Sequence, residues 1–368
     1  MNTMINSGLF ISIILLICGC DQGQGPVGPG NRNSGNVGSG SGGAWTVPVD
    51  QVFDGGPGKD GIPALEDPEL IDALQADYLN DEDLVLGYKN GETVIAYPHA
   101  ILDWHEIIND KVDFHAFAVT YCPLTGTGIG WSREVEGQET TFGVSGLLYN
   151  SNLIPYDRLS DSNWSQMRLE SINGTFKGKS VSTFQLVETT WQTWQEMFPD
   201  TKVVSTQTGH SRNYENYPYG DYKTNHNNLI FPVSPEDDRL PTKERVHGII
   251  VKGEAKAYRF EDFAEGLTVI EDVVNEQEII VVGDKEKNFI MSFRKKLLDG
   301  TIPEFQAAPE GSPARVVLID NEGNSWSIFG EALSGPRQGE KLVPTKSFIG
   351  FWFSWGAFYP GLKLFGAN

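Results

Sequence analysis

The sequence predicts a mainly β (α+β) fold with short helices, built as two similar β-rich halves. Three observations lead there. Short alternating apolar runs are separated by Gly- and Asn-containing turns, as in hairpins. Long amphipathic helices able to cross over between parallel strands are absent, which disfavours a doubly wound sheet. The same order of Gly, Tyr, Trp and Pro signals also returns at a nearly constant offset. Gly87, Ala96 and Tyr97 recur 161 residues later as Gly248, Ala257 and Tyr258. Trp164-Ser165 returns as Trp326-Ser327, and Trp191, Trp194, Pro199 and Lys202 return as Trp352, Trp355, Pro360 and Lys363. The two copies span about 81–205 and 242–365.

Taken in order, the chain opens with an apolar run from Leu9 to Ile17 that ends in Cys18-Gly19-Cys20. The run is shorter than the ~20 residues a spanning helix needs, but it suits the apolar region of a signal peptide. Gly19 before Cys20 resembles the bacterial lipoprotein signal. Residues 1–19 then read as a signal peptide and Cys20 as the lipidated mature N-terminus. No Lys or Arg precedes the run, and an uncleaved N-terminal anchor is the other reading. Both tether the body to a membrane outside the cytoplasm, in the bacterial cell envelope. Residues 20–44 are a Gly/Ser/Asn-rich tether, mostly Gly, Ser, Asn and Pro. Such a tether buries no core and reaches roughly 25 Å. The body runs from Trp45 through 368.

Composition narrows the partners. Of 368 residues, 49 are acidic and 28 basic, for a formal charge of −21. Nucleic-acid binding draws its affinity from Lys and Arg neutralising phosphates, so no nucleic-acid partner is expected. Only three cysteines occur. With Cys18 removed and Cys20 lipidated, Cys122 is left as a lone thiol in a compartment that permits disulfides.

The glycine-dense stretch Asp54–Pro63 lacks the spacing and the Lys-Ser/Thr of a P-loop and reads as a turn. Leu84–Tyr88 and Thr93–Tyr97 flank Asn90-Gly91, a tight hairpin signal. Pro98 suits the start of a helix, on which Ile101, Trp104 and Ile108 would face the core. His115–Tyr121 alternates as a strand that ends at Cys122. Gly126, Gly128 and Gly130 read as punctuation of the turn into the next strand. Each copy closes with a short helix carrying the Trp-x-x-Trp pair.

The duplication also supplies an internal control. Shared residues answer to the fold, and polar groups found in one copy only are candidates for chemistry. His105 projects onto Gly266, Cys122 onto Gly283, Gln166 onto Ile328 and Arg168 onto Gly330, so a site is expected mainly in the first copy. Cys122 comes first, either as a buried inert thiol or as a reactive thiolate stabilised by loop amides. His105 is either a hydrogen-bonded structural histidine or the base or metal ligand beside Cys122. Adding Met167 and His210 gives a Cys/His/Met set favouring Cu(I), with copper or zinc as the expected ion. The polar stretch Gly143–Asn152, with Glu106, Asn150, Asn152, Arg158, Gln166 and Arg168, would line a small-ligand pocket. The leading expectation is thus a small ligand or metal bound at a Cys/His site in the first copy. Two alternatives stand beside it. One is a cysteine-dependent enzyme with Cys122 as nucleophile, His105 as base and Asn150 or Gln166 positioning an oxyanion. The other is a structural envelope protein without a site.

Asp103-Trp104-His105-Glu106-Ile107-Ile108-Asn109-Asp110, Thr120–Thr127, Phe142–Asn152 and Trp164-Ser165-Gln166 together resemble a bacterial family of domains of unknown function, number 3179 (DUF3179). The resemblance spans about Trp45 to Phe365. It implies an extracytoplasmic protein and names no activity. Some members carry a second cysteine where this chain has Thr125.

Overall fold

The computed structural model describes residues 44–367. The expected signal peptide, Cys20 and nearly all of the tether lie outside the described residues. The body is 42% strand and 10% helix, with three short α-helices. Local chemistry accounts for the main elements. Leu84–Asn90 and Thr93–Pro98 pair in antiparallel register around Gly91, whose φ of 56° suits the tight turn. Helix α1 (His99–His105) begins directly after Pro98. It is shorter than expected: Glu106 turns left-handed, and Ile108 lies on the following strand.

The two halves share a strand order. In the first, the hairpin gains Val187–Thr190 antiparallel on one side and Lys202–Val204 parallel on the other. In the second, Arg245–Val251 and Glu254–Arg259 form the hairpin, with Lys346–Phe351 antiparallel and Lys363–Leu364 parallel. A three-stranded meander follows each hairpin: Ile107–Val112, His115–Cys122 and Thr127–Ser132, then Thr268–Val274, Gln277–Asp284 and Phe289–Arg294. A second meander completes each half, over 142–173 in the first and 305–334 in the second.

The repeated residues have matching physical roles. A Cβ on Gly87 would fall 2.1 Å from the Trp194 ring, and one on Gly248 2.2 Å from the Trp355 ring. Each indole therefore lies flat on bare backbone. Trp164 Nε1 donates to Asp157 at 2.9 Å, and Trp326 Nε1 donates to Asp320 at 2.9 Å. Gly128 and Gly130 are not turn residues. They sit inside a strand, where Leu86 and the Phe184 ring occupy the space a Cβ would need.

The Trp-bearing helices are seated across the halves. Helix α2 (Trp191–Met197) packs into a cluster with Phe293, Trp326 and Ile328 of the second half. The Phe329 ring lies 6.2 Å from Trp194 and 6.0 Å from Phe198. Helix α3 (Trp352–Phe358) packs into the cluster of Cys122, Trp131, Trp164 and Met167 of the first half. Beyond its end, Tyr359 donates to the Met167 carbonyl at 2.7 Å.

Between the halves, from 205 to 244, the chain forms neither strand nor α-helix. It is nevertheless pinned down: Lys243 is buried, donates to the Asn225 carbonyl at 2.6 Å and sits 3.6 Å from the centre of the Tyr222 ring. This connection crosses the end of the Cys122 strand.

Candidate functional site

Cys122 ends its strand inside the cluster that joins the halves, and its side chain is buried. Its thiol points at the Ser151 carbonyl, 3.6 Å away. Burial, and then the nearby Glu106 carboxyl, push its pKa up to about 11. A thiolate is the nucleophile, so this thiol is held in its unreactive form at neutral pH.

His105 does not serve Cys122. Its Nδ1 pairs with the Pro63 carbonyl at 2.8 Å and its Nε2 with the Tyr214 hydroxyl at 2.7 Å. With Nδ1 donating to the carbonyl and Nε2 accepting from the hydroxyl, both ring nitrogens are engaged away from Cys122. Burial lowers its pKa to about 4, which agrees with a neutral structural ring. His210 does come near, its ring centre 5.4 Å from that of His105, but it lies at the surface. Met167 is fully buried in the same apolar cluster as Cys122. Among the described residues no three His, Cys, Asp or Glu side chains converge as metal ligands. The copper or zinc set expected from Cys122, His105, Met167 and His210 is therefore not assembled.

The structure does bring Asn152 and Gln166 together. Asn152 Nδ2 donates to Gln166 Oε1 at 2.7 Å and to Thr125 Oγ1 at 2.9 Å. Gln166 Nε2 donates to Thr120 Oγ1 and to the Thr127 carbonyl, both at 3.0 Å. Both side-chain amide hydrogens of Gln166 are thus spent on Thr120 and Thr127, which flank the turn after Cys122, leaving none for an oxyanion. Arg158 and Arg168 instead make surface ion pairs, with Glu66 at 2.6 Å and Glu170 at 2.7 Å.

The open chemistry belongs to Glu106. Its backbone φ is 57°, uncommon for a residue with a Cβ and costing of order 1 kcal/mol or more. The turn Asn150-Ser151, beside the Cys122 thiol, is left-handed at both residues, as a two-residue type I′ hairpin demands. Asn150 Oδ1 accepts from the Ser234 amide at 2.9 Å, and its buried Nδ2 has no partner. Glu106 lines a cavity of about 40 Å³ whose walls are mainly apolar, including Leu124, Val144, Leu148 and Phe231. No cation pairs with it among the described residues; Tyr219 is its hydrogen-bond partner. Burial raises its pKa to about 8, so at neutral pH it is mostly the neutral acid.

Sequence reasoning missed the cover of this site. Tyr222 donates to the Leu124 carbonyl at 3.0 Å, Tyr217 to the Pro123 carbonyl at 3.3 Å, and Ser151 to the Phe231 carbonyl at 3.0 Å. The available signal was four tyrosines within Tyr214–Tyr222, in a stretch outside both copies. Also missed was a buried charged cluster on the same side. Lys223 pairs with Asp103 at 2.8 Å and Arg245 with Glu188 at 2.6 Å. Between them lies His99, its Nε2 3.9 Å from Glu188 and without a hydrogen bond.

A family model described as "Protein of unknown function (DUF3179)" matches residues 59–362. No curated protein and no solved structure matches the chain.

Proposed function

The chain belongs to the DUF3179 family, and on that premise we propose a lipid-anchored binding protein of the bacterial cell envelope. Its first half takes the small apolar end of a ligand into the pocket under Glu106. The lipobox-like Gly19-Cys20 and the tether support the anchor, and the shared strand order supports descent of the two halves from one duplicated unit. Exchange of Cys20 for Ser should move the protein from the membrane fraction to the soluble one.

The observation that carries the binding reading is a carboxylic acid buried without a cation, on strained backbone, at an apolar cavity. Burying an acid in this way opposes stability, and strain of this kind collects at functional positions. In its neutral form the carboxyl donates one hydrogen bond, which suits a ligand with one acceptor, such as a carbonyl, on an apolar end. A cavity of about 40 Å³ admits only that end. Val144 and Leu148 on one side, and Phe231 from the connecting segment on the other, would exclude water around the bond.

Saturation-transfer NMR with 2-butanone as probe tests the reading. Transfer to the methyl groups is expected at pH 6, fading as pH rises through about 8. In Glu106→Gln, which keeps a donor that does not ionise, transfer should persist to higher pH. A signal unchanged by Leu148→Trp, which fills the cavity, or no signal at pH 6, would overturn the proposal.

A further inference from the structure

A larger cavity, about 250 Å³, lies between the halves, away from Cys122. Gly128, Gly130 and the 183–188 stretch line it from the first half, and His247, Arg294 and the 344–349 stretch from the second. Unlike that of the Glu106 pocket, its lining is about half polar. His247 is 3% exposed, yet its Nδ1 has no partner. Its Nε2 is fixed by Ser292 Oγ at 2.8 Å, which in turn contacts Thr345 Oγ1 at 2.5 Å and Ser347 Oγ at 3.2 Å. Gln185 Nε2 is likewise buried and unpartnered. Buried polar atoms left this way cost free energy unless something fills them.

The charges complete the pattern. Arg294 and Lys346 line the cavity at exposed positions and enter no ion pair among the described residues, in a chain of formal charge −21. Glu188 also lines it: Arg245 engages its Oε1 at 2.6 Å, while its Oε2 is buried without a hydrogen bond. The volume falls just below the ~300–1,000 Å³ of pockets for drug-sized molecules, so the occupant is small.

We propose that this cavity is a second binding site, separate from the Glu106 pocket, for a small hydroxyl-bearing organic anion. Arg294 and Lys346 meet its anionic group, while the Thr345 and Ser347 hydroxyls pair with its hydroxyls and the Gln185 and His247 side chains turn their unpartnered Nε2 and Nδ1 to it on binding. A carboxylate and a phosphate share this chemistry. His247 belongs to the second half alone: the 161-residue offset places Leu86 at the matching position.

Isothermal titration of the purified full chain with gluconate, glucose 6-phosphate and neutral glucose separates the possibilities. Binding of at least one anion is expected, and which one binds assigns the anionic group. Affinity should fall about tenfold or more in Arg294→Ala/Lys346→Ala, whose surface positions spare the fold. His247→Leu, which installs the first half's residue, should weaken binding of the same anion. Three results would overturn the proposal: no anion binds, the double variant binds unchanged, or glucose binds as tightly as the anions. The first would mean a cavity filled by water only.

Discussion

The two halves place the same hairpin, meander and Trp-bearing helix in the same order, yet they spend their buried polar groups differently. In the first half a thiol ends the middle strand of the meander, a strained acid stands beside it, and the Asn152–Gln166 amides lock the loop. In the second, Gly283 stands where the offset places the counterpart of Cys122, and the Phe263 ring lies against its backbone. Ile328, the counterpart of Gln166, is buried in an apolar cluster. The second half is not a bare copy, however, because His247 replaces Leu86 and polarises the space between the halves. Shared positions therefore report the packing problem that both halves solve. Divergent positions report two separate environments, one apolar with an acid and one polar with a histidine.

The largest test of that comparison removes a shared residue from each half in turn. Trp194→Ala and Trp355→Ala should each cost about 3–5 kcal/mol, since each deletes a buried indole seated on a glycine. Chemical denaturation should show one cooperative loss in both variants. A second transition in either one would break the equivalence. Next come exchanges at a divergent pair. Gln166→Leu strands Asn152 and Thr120, and Ile328→Gln buries an amide without partners, so each should cost about 1–3 kcal/mol. A neutral result at Ile328 would mean that its surroundings hold hidden polar capacity.

The pH dependence of stability sharpens the contrast further. Glu106 holds its proton more tightly folded than unfolded. Its contribution is complete below its ordinary pKa of 4.5 and is lost as pH rises through about 8. His247 behaves in the opposite sense, because burial lowers its pKa to about 3. Its contribution is complete above its ordinary 6.5 and is lost as pH falls towards 3. Unfolding midpoints measured across pH should therefore lose slope between 4.5 and about 8 in Glu106→Gln and between about 3 and 6.5 in His247→Leu. The smallest effects are expected at Arg158→Ala and Arg168→Ala. Both sit in surface ion pairs, and denaturation should register no more than about 0.5 kcal/mol for either.

The elements legible in the sequence were those set by local chemistry or repeated within the chain. Asn90-Gly91 and Pro98 announced a turn and a helix start, and the recurring Gly and Trp residues marked contacts that both halves need. Gly128 and Gly130 misled because a strand glycine that admits a neighbouring Leu or Phe looks, in sequence, like a turn glycine. His105 was chosen because the offset places Gly266 at its counterpart position, but its orientation is set by Pro63 and Tyr214, which are distant in sequence and carry no local signal. Glu106 was named for its charge, whereas its character comes from burial and a left-handed backbone. His247 escaped because difference was sought only in the first copy.

The crosswise seating of the Trp helices has one more consequence. Each closing helix rests on its own half's hairpin glycine and also packs into a cluster with the other half, so covalent continuity through 205–244 is not all that keeps the halves together. A protease cut in that stretch would yield two fragments on a denaturing gel and a single particle under native conditions. What the cut would change is the tyrosine cover over Cys122. Nicking would thus expose the thiol to alkylation while the body kept its shape.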